Sequence, residues 1–100
     1  MFLSVVSTMY NINEIAETLS NISDPKLIEE FLNSLLTEKE VMDISSRWEL
    51  VKLLDKGVSQ RNIAKVLHLS LCKITRGSKE LKKDDSAFKK VLSVFYLRND

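Results

Sequence analysis

The sequence is poor in the residues that interrupt helices. Its 100 residues include only two glycines and one proline. Because glycine and proline punctuate turns and loops, so few of them over this length predict an all-α chain. Apolar residues make up 44% and charged residues 29%, which is typical of a globular domain and excludes a disordered chain. The length predicts a single domain, residues 1–100, with a core of moderate size.

Cysteine and histidine are scarcer still, since Cys72 and His68 are the only examples. One cysteine cannot form an intramolecular disulfide, which favours a reducing, cytoplasmic location. A zinc site built from cysteine and histidine is excluded at these counts, and we expect no metal and no cofactor. The sequence also has no visible nucleophile–base pair and no glycine-rich phosphate loop, so we do not expect an enzyme.

The net charge of +1 conceals an uneven distribution. Residues 1–46 carry eight acidic and two basic side chains, a net charge of −6. Residues 47–83 carry ten basic and three acidic side chains, a net charge of +7, and residues 84–100 carry three of each. A concentrated positive field is typical of a surface that contacts nucleic-acid phosphates. The alternative is a dipolar surface that is simply solvated.

The positive segment centres on Ser59–Leu81, whose pattern predicts a helix–turn–helix. Ser70 is expected to cap the second helix of the motif. His68 stands at the turn position usually held by glycine, and histidine tolerates a positive φ better than most residues. The inward-facing residues are predicted to be Ile63, Ala64 and Leu67 in the first helix, Leu69 in the turn, and Ile74 in the second helix.

The outward positions of the second helix are small, hydroxylated or basic, which suits a helix lying in the major groove of double-stranded DNA. The predicted groove-facing residues are Leu71, Cys72, Lys73, Thr75 and Arg76, and the predicted phosphate-facing residues are Gln60, Arg61 and Lys65. The alternative is a basic helix that docks protein, as in a helical interaction module or a fragment of a promoter-recognition factor.

Apolar periodicity predicts three helices before the motif, within a segment of residues 1–57 assigned to the core and to dimerisation. The first lies within residues 8–21, and Asp24-Pro25 opens the second. Residues 37–40 form a capping box that opens the third, which is expected to end near Gly57. Residues 1–9 lack the features of a signal peptide or a membrane span and are expected to form an arm that packs against another surface.

The motif, residues 58–82, is followed by a sixth helix within residues 83–100, capped by Ser86 or Asp85. The apolar faces near both ends of the chain are wider than a lone bundle of this size can cover. Helix–turn–helix proteins also commonly bind paired half-sites as two-fold dimers. We therefore predict a homodimer; the alternative is a monomer whose N-terminal helices fold over the middle ones.

Two segments of the chain resemble the tryptophan repressor family. They are Leu35–Val51 (L-L-T-E-K-E-V-M-D-I-S-S-R-W-E-L-V) and Lys73–Leu81 (K-I-T-R-G-S-K-E-L), within a likeness that covers roughly residues 33–97. A related group of repressor-like proteins shares the R-W pair seen at Arg47-Trp48 but typically lacks the R-G of I-T-R-G-S. The presence of Arg76-Gly77 therefore favours the tryptophan repressor family proper.

This resemblance implies a transcriptional repressor that binds a palindromic operator as an intertwined homodimer, with L-tryptophan as corepressor. Arg47 and Arg76 are expected to hold the indole between two guanidinium planes, and Arg76 is expected also to pair with the ligand carboxylate. Thr37 is expected to assist with the carboxylate, and Gly77 to leave room for the ring. A helix–turn–helix regulator that does not respond to tryptophan is the alternative.

The resemblance also places carbonyl groups near Ser34 and Leu36 at the ligand ammonium, where a helix end carries partial negative charge. The family has a serine at the position of Glu80. A carboxylate there could bind the ammonium or turn to Lys83 or Lys79. The family also has a leucine at the position of Ser34, which matters little if only the carbonyl is used.

Overall fold

The computed structural model describes residues 10–99, and every regular element within them is a helix. The helices are α1 (Asn13–Ser20), α2 (Pro25–Leu35), α3 (Glu38–Asp55), α4 (Gln60–Leu67), α5 (Leu71–Lys82) and α6 (Ala87–Asn99). The predicted all-α fold of six helices is thus confirmed over the described part of the chain. The predicted arm of residues 1–9 lies outside it.

The described part of the chain divides into two compact units, with the boundary between Glu38 and Lys39. The first unit contains α1 and α2, and the second contains α3 from Lys39 onward together with α4, α5 and α6. The single domain over residues 1–100, with internal boundaries at 57/58 and 82/83, stays a prediction.

In the first unit, α2 begins as its sequence predicts. The carboxylate of Asp24 accepts a hydrogen bond from the backbone N–H of Lys26 at 3.0 Å, and Pro25 occupies the first helical turn. No side chain of α2 is buried. Its apolar stripe at four-residue spacing remains open, with Leu27, Phe31 and Leu35 exposing 48%, 38% and 53% of their surface.

In the second unit, two clusters of buried side chains hold the four helices together. Leu50, Ile63 and Ile74 join α3 to α4 and α5, and the inward-facing residues predicted for the helix–turn–helix all belong to this cluster. The other cluster joins α3 and α5 to α6, with Val51, Leu81 and Leu92 at its centre and Trp48, Phe88 and Tyr96 packed against them.

The turn between α4 and α5 is fixed by backbone geometry and by a cap. His68 has φ 55° and ψ 36°, in the left-handed region, and its N–H donates to the carbonyl of Ala64 at 3.0 Å. The hydroxyl of Ser70 accepts from the backbone N–H of Lys73 at 3.4 Å, which confirms the predicted cap of α5. Ser59 caps α4 in the same way through the N–H of Asn62 at 3.2 Å.

Helix α6 is capped by Ser86, one of the two predicted candidates. The buried Ser86 accepts from the N–H of Lys89 at 3.3 Å, whereas the carboxylate of Asp85 pairs with Lys90 at 2.7 Å. The Tyr96 hydroxyl donates to the carboxylate of Asp55 at 3.3 Å and so connects α6 to the end of α3.

His68 holds a side chain in the left-handed backbone region, where a Cβ causes strain that glycine avoids. His68→Gly should raise the free energy of unfolding by about 0.5–1 kcal/mol, because glycine adopts this conformation without the clash of a Cβ. Lys65→Gly, in the body of α4, is the matched control and should lower it by about 1 kcal/mol. Denaturant unfolding at one protein concentration measures both changes. A loss of stability at both positions would contradict the strain assigned to His68.

Candidate functional site

The second unit contains a cavity of about 580 Å³ between α3 and α5, with one residue of α6 at its wall. This volume lies within the range of small-molecule sites, about 300–1,000 Å³. The lining combines apolar and charged side chains: Ile44, Arg47, Trp48, Leu50, Val51, Lys73, Arg76, Gly77, Glu80 and Phe88.

Helical spacing explains how two segments distant in sequence build one cavity. Residues three and four positions apart share one face of a helix. The stripe from α3 is Ile44, Arg47, Trp48 and Val51, and the stripe from α5 is Lys73, Arg76, Gly77 and Glu80. The two stripes have the same spacing, so each helix offers about two turns of one face to the cavity.

The two predicted ligand-binding arginines line the same cavity from different helices. Arg47 lies on α3 and Arg76 on α5, and both are exposed. Within residues 10–99, neither guanidinium forms an ion pair or a hydrogen bond. Two cations on facing helices, with Lys73 also at the wall, favour the entry of an anionic group.

Gly77 is buried where α5 packs against Leu50 and Leu54 of α3. A Cβ at this position would lie 3.2 Å from Leu50 Cδ2 and 3.4 Å from Leu54 Cδ1. The first distance is shorter than ordinary van der Waals contact, so glycine allows this close helix packing. The resemblance implies room for a ligand ring at Gly77, and this role stays a prediction. The residue lines the cavity, and it also allows the two helices to pack closely.

Glu80 brings a carboxylate to the cavity wall at the C-terminal end of the α5 stripe. Its Oε1 accepts from Lys83 Nζ at 2.9 Å. The sequence left Lys79 and Lys83 open as partners of Glu80, and the structure pairs it with Lys83.

Several lining residues were not foreseen as part of a site. From the sequence, Lys73 has only a predicted role in DNA contact, and Trp48 has no predicted role at a ligand site. Lys73 stands three positions before Arg76, and Trp48 stands four positions after Ile44, so helical spacing places each on the face that lines the cavity. Phe88 comes from α6, and no local pattern connects it to the arginines.

Aromatic packing supports the α3 side of the cavity. Trp48 meets Phe95 of α6 edge to face, with ring centroids 5.6 Å apart and an interplanar angle of 89°. Lys52 Nζ lies 5.9 Å from the Trp48 ring centroid and 5.3 Å from that of Phe95, and it pairs with Glu49 at 2.6 Å. The cation and the two rings therefore stabilise one another's positions.

The remaining predicted ligand residues, Ser34, Leu36 and Thr37, belong to the first unit. Ser34 lies exposed in the last turn of α2. Leu36 follows with an extended backbone, φ −100° and ψ 150°, and its N–H donates to the carbonyl of Leu32 at 2.9 Å. Thr37 is exposed just before α3. Their roles toward a ligand stay predictions.

The predicted DNA-contacting residues occupy the outer surface of the helix–turn–helix. All five predicted groove-facing residues of α5 are exposed, as are Arg61 and Lys65 of α4. Gln60 is half-buried, and its Oε1 accepts a hydrogen bond from the Thr75 hydroxyl at 3.4 Å across the two helices. This surface therefore presents basic and hydroxyl groups on a capped, well-packed pair of helices.

The fold and this surface define the class of the protein: it is an all-helical helix–turn–helix protein. Comparison with known sequences then identifies the family. Residues 10–95 match the family described as Trp repressor protein. The chain belongs to this family, whose members are DNA-binding regulators of transcription rather than enzymes.

Three relatives, each described as a Trp operon repressor homolog, illustrate the likeness. The protein from Actinobacillus succinogenes is 42% identical over 77 residues, which cover 76% of each chain. The protein from Chlamydia trachomatis serovar L2 is 34% identical over 74 residues, or 73% of this chain and 79% of the relative. The protein from Vibrio parahaemolyticus is 34% identical over 82 residues, or 81% and 80%. No solved structure matches the chain.

None of the helices in residues 10–99 is long and apolar enough to cross a membrane.

Proposed function

We propose that the protein is a homodimeric repressor that binds a palindromic DNA operator when L-tryptophan occupies the cavity between α3 and α5. The observation that carries this proposal is the meeting of Arg47 and Arg76 in one cavity. Helix α5 supplies a wall of the cavity and also the outward residues of the helix–turn–helix. A ligand in the cavity therefore acts directly on the position of the helix that reads DNA.

An aromatic amino acid suits the lining chemically. The guanidinium planes of Arg47 and Arg76 stack on an indole, and their charge attracts the ring face. Arg76 can also hold the carboxylate by charge-assisted hydrogen bonds. The apolar residues of the lining, Ile44 and Val51 among them, remove ring surface from water.

Ser34, Leu36 and Thr37 are proposed as further ligand contacts because the family likeness implies them. Thr37 would donate a hydrogen bond to the carboxylate. Carbonyls near Ser34 and Leu36, at the C-terminal end of α2, would accept from the ammonium because this helix end carries partial negative charge. These assignments rest on the family likeness of the segment from Leu35 onward.

The proposed effect of tryptophan on DNA binding depends on the charges in the cavity and on the packing of α5 against α3. Without ligand, the cavity brings together the like charges of Arg47 and Arg76, neither of which pairs with a carboxylate within residues 10–99, so α5 is held less firmly. Bound tryptophan supplies a carboxylate and a stacking plane and thereby fixes α5 relative to α3. In a dimer this also fixes the spacing of the two α5 helices, which must match successive turns of the major groove.

The open apolar stripe of α2 supports the dimer. A soluble monomer rarely leaves so continuous an apolar face uncovered, and a second copy of the chain is the partner that a two-fold DNA-binding protein requires. We propose that Leu27, Phe31 and Leu35 lie in this interface.

Sedimentation tests the dimer. The parent should sediment at close to twice the 11.5 kDa chain mass at micromolar concentration. Phe31→Glu should shift the protein toward the monomer, because a carboxylate would be buried in an apolar interface. Asn33→Glu adds the same charge to α2 away from the stripe and should remain dimeric. A parent that is monomeric and still binds a palindromic site tightly would contradict the proposal.

The proposed DNA contacts of the helix–turn–helix can be tested by titrating the protein with DNA at several salt concentrations. The DNA carries a binding site selected from random double-stranded sequences. Arg61→Ala and Lys65→Ala should weaken binding to all sequences about equally and lower the salt slope by about 1 each, since each removes one phosphate contact. Thr75→Val should instead change the preferred bases. Lys39→Ala, an exposed cation outside the motif, is the control. Unchanged low-salt affinity in Arg61→Ala would refute the docking.

Binding to the selected site with and without L-tryptophan tests the switch. Saturating ligand should strengthen DNA binding by about 1–3 kcal/mol, and linkage requires DNA to strengthen tryptophan binding by the same amount. Arg76→Ala should remove most of this response. Arg47→Ala should lower the affinity for L-tryptophan but leave the ligand-independent DNA binding unchanged.

Arg98→Ala is the matched control for both arginine variants, because Arg98 lies at the end of α6 and does not line the cavity. Equal DNA affinity of the parent with and without tryptophan would reject the corepressor and leave a regulator that binds DNA without this ligand.

A further inference from the structure

The cavity between α3 and α5 carries more positive charge than one amino acid can neutralise. Three of its lining residues are cationic, Arg47, Lys73 and Arg76, and one is anionic, Glu80. The carboxylate of Glu80 is already paired with Lys83, which does not line the cavity. A bound amino acid has a single carboxylate, so it leaves positive charge in the lining without a counter-charge. The lining therefore also suits a ligand that carries more negative charge.

Lys73 is the cation for which the proposed function provides no ligand contact. It is exposed, and within residues 10–99 its ammonium forms no ion pair and no hydrogen bond. It lies three residues before Arg76 on the face of α5 that lines the cavity, about 4.5 Å away along the helix axis. Like charges at this spacing repel each other, so an anion that contacts both side chains is favoured.

We infer that Lys73 and Arg76 form a phosphate subsite in the cavity, and that the cavity accepts an aromatic phosphate monoester as a second class of ligand. This inference rests on the proposed function, in which the cavity holds an indole ring. It adds a ligand chemistry that L-tryptophan lacks and assigns the recognition of that chemistry to one lysine.

A phosphate monoester matches the two cations of α5 better than a carboxylate does. It carries a charge of about −1.5 to −2 at pH 7 and has three acceptor oxygens. One phosphate can therefore accept hydrogen bonds from the Lys73 ammonium and from two N–H groups of the Arg76 guanidinium. A carboxylate that is bound to Arg76 leaves the charge of Lys73 without a partner.

The apolar part of the lining favours a phosphate attached to an aromatic ring over a phosphate of the DNA backbone. Ile44, Trp48 and Val51 of α3 and Phe88 of α6 line the same cavity. Contact with these side chains removes ring surface from water, which a backbone phosphate cannot do. Because Lys73 is also a predicted DNA contact, the bound ester places negative charge where the DNA backbone approaches, and it therefore opposes DNA binding.

Calorimetry with two indole esters tests this inference. Indoxyl phosphate and indoxyl sulfate share the ring, but the sulfate carries a single negative charge. The parent should bind the phosphate about tenfold more tightly, as expected for one further hydrogen bond between charged groups. L-Tryptophan should displace both esters. Indoxyl phosphate should also weaken binding to the selected DNA site, whereas L-tryptophan should strengthen it.

Variants of two lysines locate the additional affinity. Lys73→Met should lower the affinity for indoxyl phosphate about tenfold and bring the two esters to nearly equal affinity. Lys73→Gln removes the same charge and serves if Lys73→Met does not fold, and Lys73→Arg should keep the preference. Lys79→Met is the matched control and should preserve the ratio of the two affinities. Lys79 is exposed and lies three residues after Arg76, but it does not line the cavity.

The outcomes separate the inference from the function beneath it. If the parent binds both esters equally, or if its preference for the phosphate persists in Lys73→Met and Lys73→Gln, the phosphate subsite is rejected and the cavity remains an indole site. Failure of L-tryptophan to displace indoxyl phosphate would place the ester outside the cavity and also reject the subsite. A parent that binds neither L-tryptophan nor either ester overturns the proposed function, and this inference with it.

Discussion

The packing of Gly77 against Leu50 is the contact on which the cavity depends. Leu50 is buried with Ile63 and Ile74, so the side chain that meets α5 at the cavity also holds α4 and α5 together. Because interiors are close-packed, a shift of α5 at this point must displace the core of the helix–turn–helix. This contact therefore couples the width of the cavity to the packing of the helix–turn–helix.

Much of this arrangement follows from local patterns in the sequence. Ser59, Ser70 and Asp24 are strong cap residues directly before apolar periodicity, and each accepts the hydrogen bond expected of a cap. The inward residues Ile63 and Ile74 follow from helical spacing within a short motif. Such features depend on interactions within a few residues, which is the range over which sequence patterns are most informative.

What the patterns do not supply is long-range geometry. The contribution of Phe88 to the cavity wall depends on how α6 returns to α3, which no local spacing specifies. The Glu80–Lys83 pair was one of several open alternatives, because a carboxylate with lysines on either side has no partner fixed by sequence alone. The relation of Ser34, Leu36 and Thr37 to the cavity depends on packing between segments, so their roles stay predictions.

Trp48 gives the protein an optical property of its own. It is the only tryptophan in the chain, and it forms part of the cavity wall, with Lys52 near its ring and Phe95 packed perpendicular to it. Indole emission responds to the charges and the water around the ring. The ultraviolet fluorescence of the ligand-free protein, excited at the red edge of its absorption, therefore arises from a single residue at the cavity wall. The wavelength of its emission maximum reports the hydration of that wall and the position of the Lys52 ammonium group.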